Sequence, residues 1–102
     1  MEVRLLDDVS RWLADLRDPR AKAKILLRLR RLSLGNPGDV KPVGNGLSEL
    51  RIQEGPGYRV YYLQQGEGLA LVLKAGTKST QDADIASARR LAREWKDAPH
   101  GP

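Results

Sequence analysis

Around Gly35-Asn36-Pro37-Gly38 the apolar pattern changes period, and this change constrains the fold more than any other feature. Before it, apolar residues recur three and four apart, the spacing of one helix face; after it they alternate, the spacing of one strand face. Ala21, Ile25, Leu29 and Leu32, with Leu26 beside them, form the stripe of a helix running to about Leu34. Asp18-Pro19 opens it: the Asp side chain can accept from the first free backbone N–H groups, and Pro suits the first helical position. Upstream, Val9, Trp12, Leu13 and Leu16 stripe a shorter helix that Asp7 or Asp8 can cap. The very short connection predicts an antiparallel helical hairpin. Val3 to Leu6 is a short strand candidate.

Downstream the strands are set by their turns. Asp39 to Val43 reads as an edge strand, because Pro42 cannot donate to a ladder. Gly44-Asn45-Gly46 is a tight-turn signal. In Leu47 to Gln53, Leu50 and Ile52 face one way, and Glu49 and Arg51 the other. After the turn Glu54-Gly55-Pro56-Gly57, Tyr58, Val60 and Tyr62 stand opposite Arg59 and Tyr61 in Tyr58 to Gln64. Gln65-Gly66-Glu67-Gly68 leads into a last long strand, Leu69 to Lys74, with Leu69, Leu71 and Leu73 on one side. Ser79-Thr80-Gln81-Asp82 reads as a helix cap, and Ile85, Ala88, Leu91, Ala92 and Trp95 stripe the helix that follows, ending near Asp97. Consecutive hairpins make an antiparallel sheet whose apolar face the helices must cover, so the class is α+β. Residues 1–97 are expected to form one domain, and 98–102 a disordered tail.

Composition removes several chemistries. There is no cysteine, so disulfides, thiolate catalysis and cysteine zinc sites are excluded. The single histidine, His100, falls in the tail, which argues against a histidine metal site or dyad, and no metal or other cofactor is expected. With no Phe, the large core pieces must be Leu, Ile, Val, Trp12, Trp95 and tyrosine. Lys and Arg outnumber Asp and Glu 18 to 13, a net charge of +5 that suits a polyanionic partner. No apolar run reaches the roughly 20 residues of a membrane span, and Arg4, Asp7 and Asp8 interrupt any signal-peptide core. A cytoplasmic location is expected.

Strand alternation gathers the polar residues. Glu49 and Arg51 share a face with Arg59 and Tyr61 of the next strand, since the turn between them is short. Lys74 stands opposite the leucines and Lys78 follows it, giving a patch of two arginines and two lysines with a tyrosine and a glutamate nearby. Because Arg59 points away from Tyr58, Val60 and Tyr62, its substitution is expected to cost little stability. Each member also has a plain structural reading. Glu49 and Arg51 can be a solvated pair, Tyr61 can lay its ring on the sheet with its hydroxyl in water, and Lys74 can be an ordinary surface lysine. A second basic set, Arg20, Lys24, Arg28 and Arg31, lies on the second helix; it suits RNA phosphates or a solvated helix face.

Glu49-Leu50-Arg51-Ile52 and Gly57-Tyr58-Arg59-Val60-Tyr61-Tyr62 resemble the central hairpin of RelE/ParE-superfamily toxins. Trp12-Leu13-Ala14-Asp15-Leu16-Arg17-Asp18, the stretch from Gly35 to Gly44, and Ala75-Gly76-Thr77-Lys78-Ser79-Thr80-Gln81 resemble the HigB-like, addiction-module killer branch. The resemblance covers Trp12 to Trp95. It implies a curved antiparallel sheet with a helical hairpin against one face and a C-terminal helix. It also implies a cognate antitoxin encoded alongside, of the helix-turn-helix DNA-binding kind, through which operator DNA would be reached. RelE-like members cleave mRNA on the ribosome, ParE-like members inhibit DNA gyrase, and a degenerate toxin would act only in a repressor complex; the shared fold does not choose among them.

Metal-free RNA cleavage needs a base for the 2′-hydroxyl, cations for the pentacoordinate phosphate and an acid for the leaving 5′-oxygen. The planar, permanently charged guanidinium suits the second role. The resemblance implies Arg59 at the scissile phosphate, with Arg51 and Lys78 at basic positions used by RNA-cleaving members. Where some members carry a C-terminal tyrosine or histidine, this chain has Ser79, Thr80 and Gln81. The base therefore stays open among Lys78, Tyr61 and Glu49.

Overall fold

The computed structural model describes residues 1–98. The elements follow as β1 (Glu2–Leu5), α1 (Asp7–Asp15), α2 (Pro19–Ser33), β2 (Val40–Gly44), β3 (Leu47–Ile52), β4 (Tyr58–Gln65) and β5 (Leu69–Thr77). A 3₁₀ turn at Lys78–Thr80 leads into α3 (Gln81–Asp97). The result is a mixed α+β structure with one five-stranded sheet and three helices. No helix among the described residues is long and apolar enough to cross a membrane. The expected tail falls almost wholly outside the described residues, His100 included.

α2 forms where its end signals stand. Asp18 accepts from the N–H groups of Arg20 (3.0 Å) and Ala21 (3.2 Å), and Pro19 takes the first turn. At the far end Gly35 is left-handed at φ 84°; its N–H reaches Leu32 O and that of Asn36 reaches Arg31 O, which closes the helix. α1 starts differently from expectation. Leu6 is its N-cap residue, and Asp7 and Asp8 lie inside the first turn, where they oppose the positive helix end without capping it.

The sheet order is β1-β5-β4-β3-β2, which puts β2 and its Pro42 on an edge as expected. Asn45 (φ 57°) and Gly46 (φ 80°) are both left-handed, the two-residue turn that matches strand twist in the β2–β3 hairpin. The β2–β3, β3–β4 and β4–β5 pairings are antiparallel. The expectation of a wholly antiparallel sheet fails at β1, which pairs in parallel with β5 from Glu2↔Leu69 to Leu5↔Val72. β5 ends the hairpin series and leaves one edge vacant, and the N-terminus fills it before climbing onto the sheet as α1. β5 also runs three residues past Lys74, because Tyr58 to Val60 still need partners there. A bulge accommodates the extra residue: Tyr61 pairs with Lys74, but Tyr62 with Val72.

Both sheet faces are covered. On one, Val9 and Leu13 of α1 and Ala21, Ile25, Leu29 and Leu32 of α2 meet Leu50, Ile52, Val60, Tyr62 and Val72. Trp12 adds an edge-on contact with Tyr58, ring centres 6.0 Å apart. On the other, Ala88 and Ala92 of α3, flanked by Ile85, Leu91 and Trp95, cover Leu47, Tyr61, Leu63, Leu71 and Leu73. The face read from the sequence as a polar surface is therefore an interior. Six consecutive residues of β4, Tyr58 to Leu63, are buried, as a strand sandwiched between helix layers must be.

Candidate functional site

Glu49 is the centre from which the site is built. It is 0% exposed, and strand register sets it opposite Tyr61. Gln81, the first residue of α3, donates from Nε2 to Glu49 Oε2 at 2.8 Å. Arg59 Nε lies 3.8 Å from the other carboxylate oxygen, an ion pair whose Arg side chain is only 11% exposed. One Arg59 terminal nitrogen also donates to its neighbour's carbonyl, Tyr58 O, at 3.1 Å. Glu49 Oε1, Arg59 Nε and the Tyr61 hydroxyl are all cut off from solvent without a regular hydrogen bond among the described residues. Burial, and then the adjacent Glu49 carboxylate, push the Tyr61 phenol well above its ordinary value.

Two expectations change here. Tyr61 does not hold its hydroxyl in water; it is 0% exposed beneath α3. Glu49 is not half of a solvated pair with Arg51, because α3 seals the carboxylate and Arg59 takes the ionic role. In this arrangement neither Tyr61 nor Glu49 reaches the surface.

Arg59 does reach a surface. With Lys78 and the turn Gln53–Gly57 it lines a cleft of about 490 Å³. The cleft's two sides are tied together, since Lys78 N–H donates to Gly57 O at 2.8 Å and Gly57 N–H to Glu54 O at 2.9 Å. Lys78 is exposed at the start of the 3₁₀ turn that precedes α3. The carboxylate lining the cleft is Glu54, paired with Arg20 (3.2 Å) and Lys24 (2.7 Å) of α2.

The remaining basic positions disperse. Arg51 is in register with Arg59, but its guanidinium binds Asp39 at 3.0 Å and lines a neighbouring groove against α2. Lys74 stands on the opposite sheet face, half-buried beside Asp8, Trp12 and Asp15 of α1, so it does not join Arg59. Arg20 and Lys24 are engaged by Glu54. Arg28 is neither solvated nor free for phosphate: it donates to Arg51 O (2.6 Å), Pro37 O (2.8 Å) and Asp39 O (2.9 Å). Burial lowers its affinity for its proton, with Asp39 opposing that change and Arg31 adding to it. Arg31 is exposed.

Sequence reasoning missed Glu54, Gln81 and Asp84. Glu54 was legible only as part of a turn, and Gln81 only as part of a cap and of the segment where some members carry a tyrosine or histidine, because α3's approach to the sheet is long-range. Asp84 is buried and accepts from the Thr80 hydroxyl at 2.6 Å. It lies so close over Gly76 that a Cβ there would overlap its carboxylate. Among the described residues no group of three His, Cys, Asp or Glu side chains is placed to hold a metal ion.

Comparison with known proteins identifies one matching family model. The model of the family described as phage derived protein Gp49-like (DUF891) matches residues 11–96. A Haemophilus influenzae protein, described as an uncharacterized protein, is 54% identical over 83 residues, which is 81% of this chain and 84% of that one. No solved structure gives a significant match.

Proposed function

The chain belongs to the Gp49-like family, part of the RelE/HigB-like toxin superfamily, whose members imply a cognate antitoxin; from that premise we propose that it is a HigB-like mRNA endoribonuclease acting on the ribosome in the cytoplasm. Residues 1–97 act as its one domain, with α1 and α2 on one face of a RelE/ParE-type sheet. The observation that carries the reading is the cleft in which Arg59 and Lys78 face a glycine-rich turn, with Arg59 backed by a buried carboxylate.

An RNA phosphate in this cleft meets the Arg59 guanidinium, which stabilises the charge of the pentacoordinate state. The 2′-oxygen attacks phosphorus and loses its proton; the bond to the 5′-oxygen breaks and that oxygen gains one. Lys78, as an ammonium, donates to the leaving oxygen. Glu54 replaces the buried Glu49 and Tyr61 as the acceptor for the 2′-hydroxyl proton. No metal takes part, and the products are a 2′,3′-cyclic phosphate and a 5′-hydroxyl. Glu49 and Gln81 are positioning residues that aim Arg59 from behind. Arg51, held by Asp39 in the neighbouring groove, does not line the cleft and contributes only its field.

Mapping of mRNA ends after brief induction tests the proposal. New 5′ ends inside coding regions, absent from Arg59→Ala, are expected. Growth arrest with intact messages and loss of negative supercoiling would overturn it in favour of gyrase inhibition.

A further inference from the structure

α2 carries a second stripe besides the one it buries. Arg20, Lys24, Leu27, Arg31 and Leu34 recur four and three residues apart, so they share one side of the helix and its C-terminal cap. Leu27 is 46% exposed and Leu34 74%, with Leu26 alongside at 48%; no other large hydrophobic side chain is exposed among the described residues. Leu27 and Ile52 also bound a groove of about 280 Å³ between α2 and the end of β3, rimmed by Arg28, Arg31 and Arg51. Leucines left wet together on one helix, beside a groove with an apolar wall, mark an interaction surface.

The charges say what fits it. Lys24 is answered by Glu54, Arg51 by Asp39, and Arg28 by three carbonyls. Arg31 has no carboxylate partner among the described residues, and its charge acts on Arg28. An RNA strand would satisfy Arg31 and leave the leucines in water. A polypeptide bearing apolar residues and a carboxylate satisfies both.

We propose that this stripe and groove dock an acidic amphipathic segment of the cognate antitoxin, its apolar side chains on Leu27 and Leu34 and a carboxylate on Arg31. The inference rests on the toxin–antitoxin reading. Groove and cleft share Gln53, so a segment seated in the groove flanks the Arg59–Lys78 cleft.

The test uses the full chain and the product of the neighbouring reading frame, co-expressed, purified and titrated by calorimetry. A Leu27→Asp/Leu34→Asp variant and, separately, Arg31→Glu are expected to melt like the parent and to cleave mRNA at the parental rate. Each should weaken the complex on the order of tenfold or more, the effect of losing a well-seated contact, and escape neutralisation in cells. Parental affinity in both variants would overturn the docking surface while leaving the toxin–antitoxin reading intact. Loss of binding to a short RNA, with partner affinity unchanged, would reassign the surface to nucleic acid and overturn the inference. Failure of the neighbouring product to bind even the parent chain would remove both.

Discussion

Arg59 faces a cleft at one end and a sealed carboxylate at the other, so its substitution has two separable effects. On the proposed ribonuclease reading, loss of this cation at the phosphate should lower the cleavage rate by about 10²–10³. Arg59→Lys should restore only part of it, because an ammonium cannot make the two-pronged contact. The sequence alone made this substitution look harmless to stability; with Glu49 wholly buried behind it, Arg59→Ala leaves a carboxylate without its counter-charge. A cost of about 3 kcal/mol is expected, largely recovered in the Arg59→Ala/Glu49→Gln double variant. Urea denaturation of the four proteins checks this, and equal stability of Arg59→Ala and parent would dissolve the ion pair's structural role. Tyr61 supplies a pH prediction. Its phenol is raised above the unfolded value, so the folded state holds that proton more tightly. The stability this gives is fully present below the ordinary tyrosine value of about 10 and is lost as pH rises above it. Unfolding measured from neutral to strongly alkaline pH should show a decline that is shallower in Tyr61→Phe; equal slopes would count against it. Both effects escaped the sequence reading for one reason. Alternation told which side chains share a face, but not that a helix from the far end of the chain covers that face.

At the level of elements, those with local punctuation were legible and those set by distant partners were not. α2 keeps its Asp18 cap and its Gly35 stop, and the Asn45-Gly46 turn fixes its hairpin, because each signal acts within a few residues. The parallel β1–β5 pairing, the bulge opposite Tyr61 and the docking of α3 depend on contacts many residues apart. The start of α3 is fitted most closely at Gly76, where Asp84 and Thr80 occupy the space of a side chain. Gly76→Ala must displace the Asp84 carboxylate and the Thr80 hydroxyl that face it from the start of α3. A loss of about 1–3 kcal/mol is expected, the usual cost of overpacking, together with reduced cleavage. Gly68→Ala, where nothing stands within 4 Å, should melt like the parent. Thermal melts of the two variants decide whether that approach is as tight as it stands; equal melting temperatures would show that α3 yields.

For the molecule as a whole, the net charge of +5 is not concentrated on the cleft. Arg20, Lys24, Arg28, Arg51 and Arg59 all have internal partners, and Lys78 is the exposed cation in the cleft. On the proposed reading, ribosome affinity should fall with salt, and Lys78→Ala should reduce the slope of log affinity against log salt by about one. An unchanged slope would move the contact away from the cleft. The sequence by itself determined the element order, the α2 boundaries, the hairpin turns, which residues alternate together, and the absence of cysteine chemistry. All of these follow from backbone preferences and periodicities that operate over a few residues. Only the tertiary structure decided that the polar face of β3 and β4 is an interior, that Glu49 and Tyr61 stand behind Arg59, that Lys74 belongs to α1's side, and that Glu54 enters the cleft. Those facts depend on which helix covers which face, and hence on the total burial of apolar surface, which no local pattern encodes.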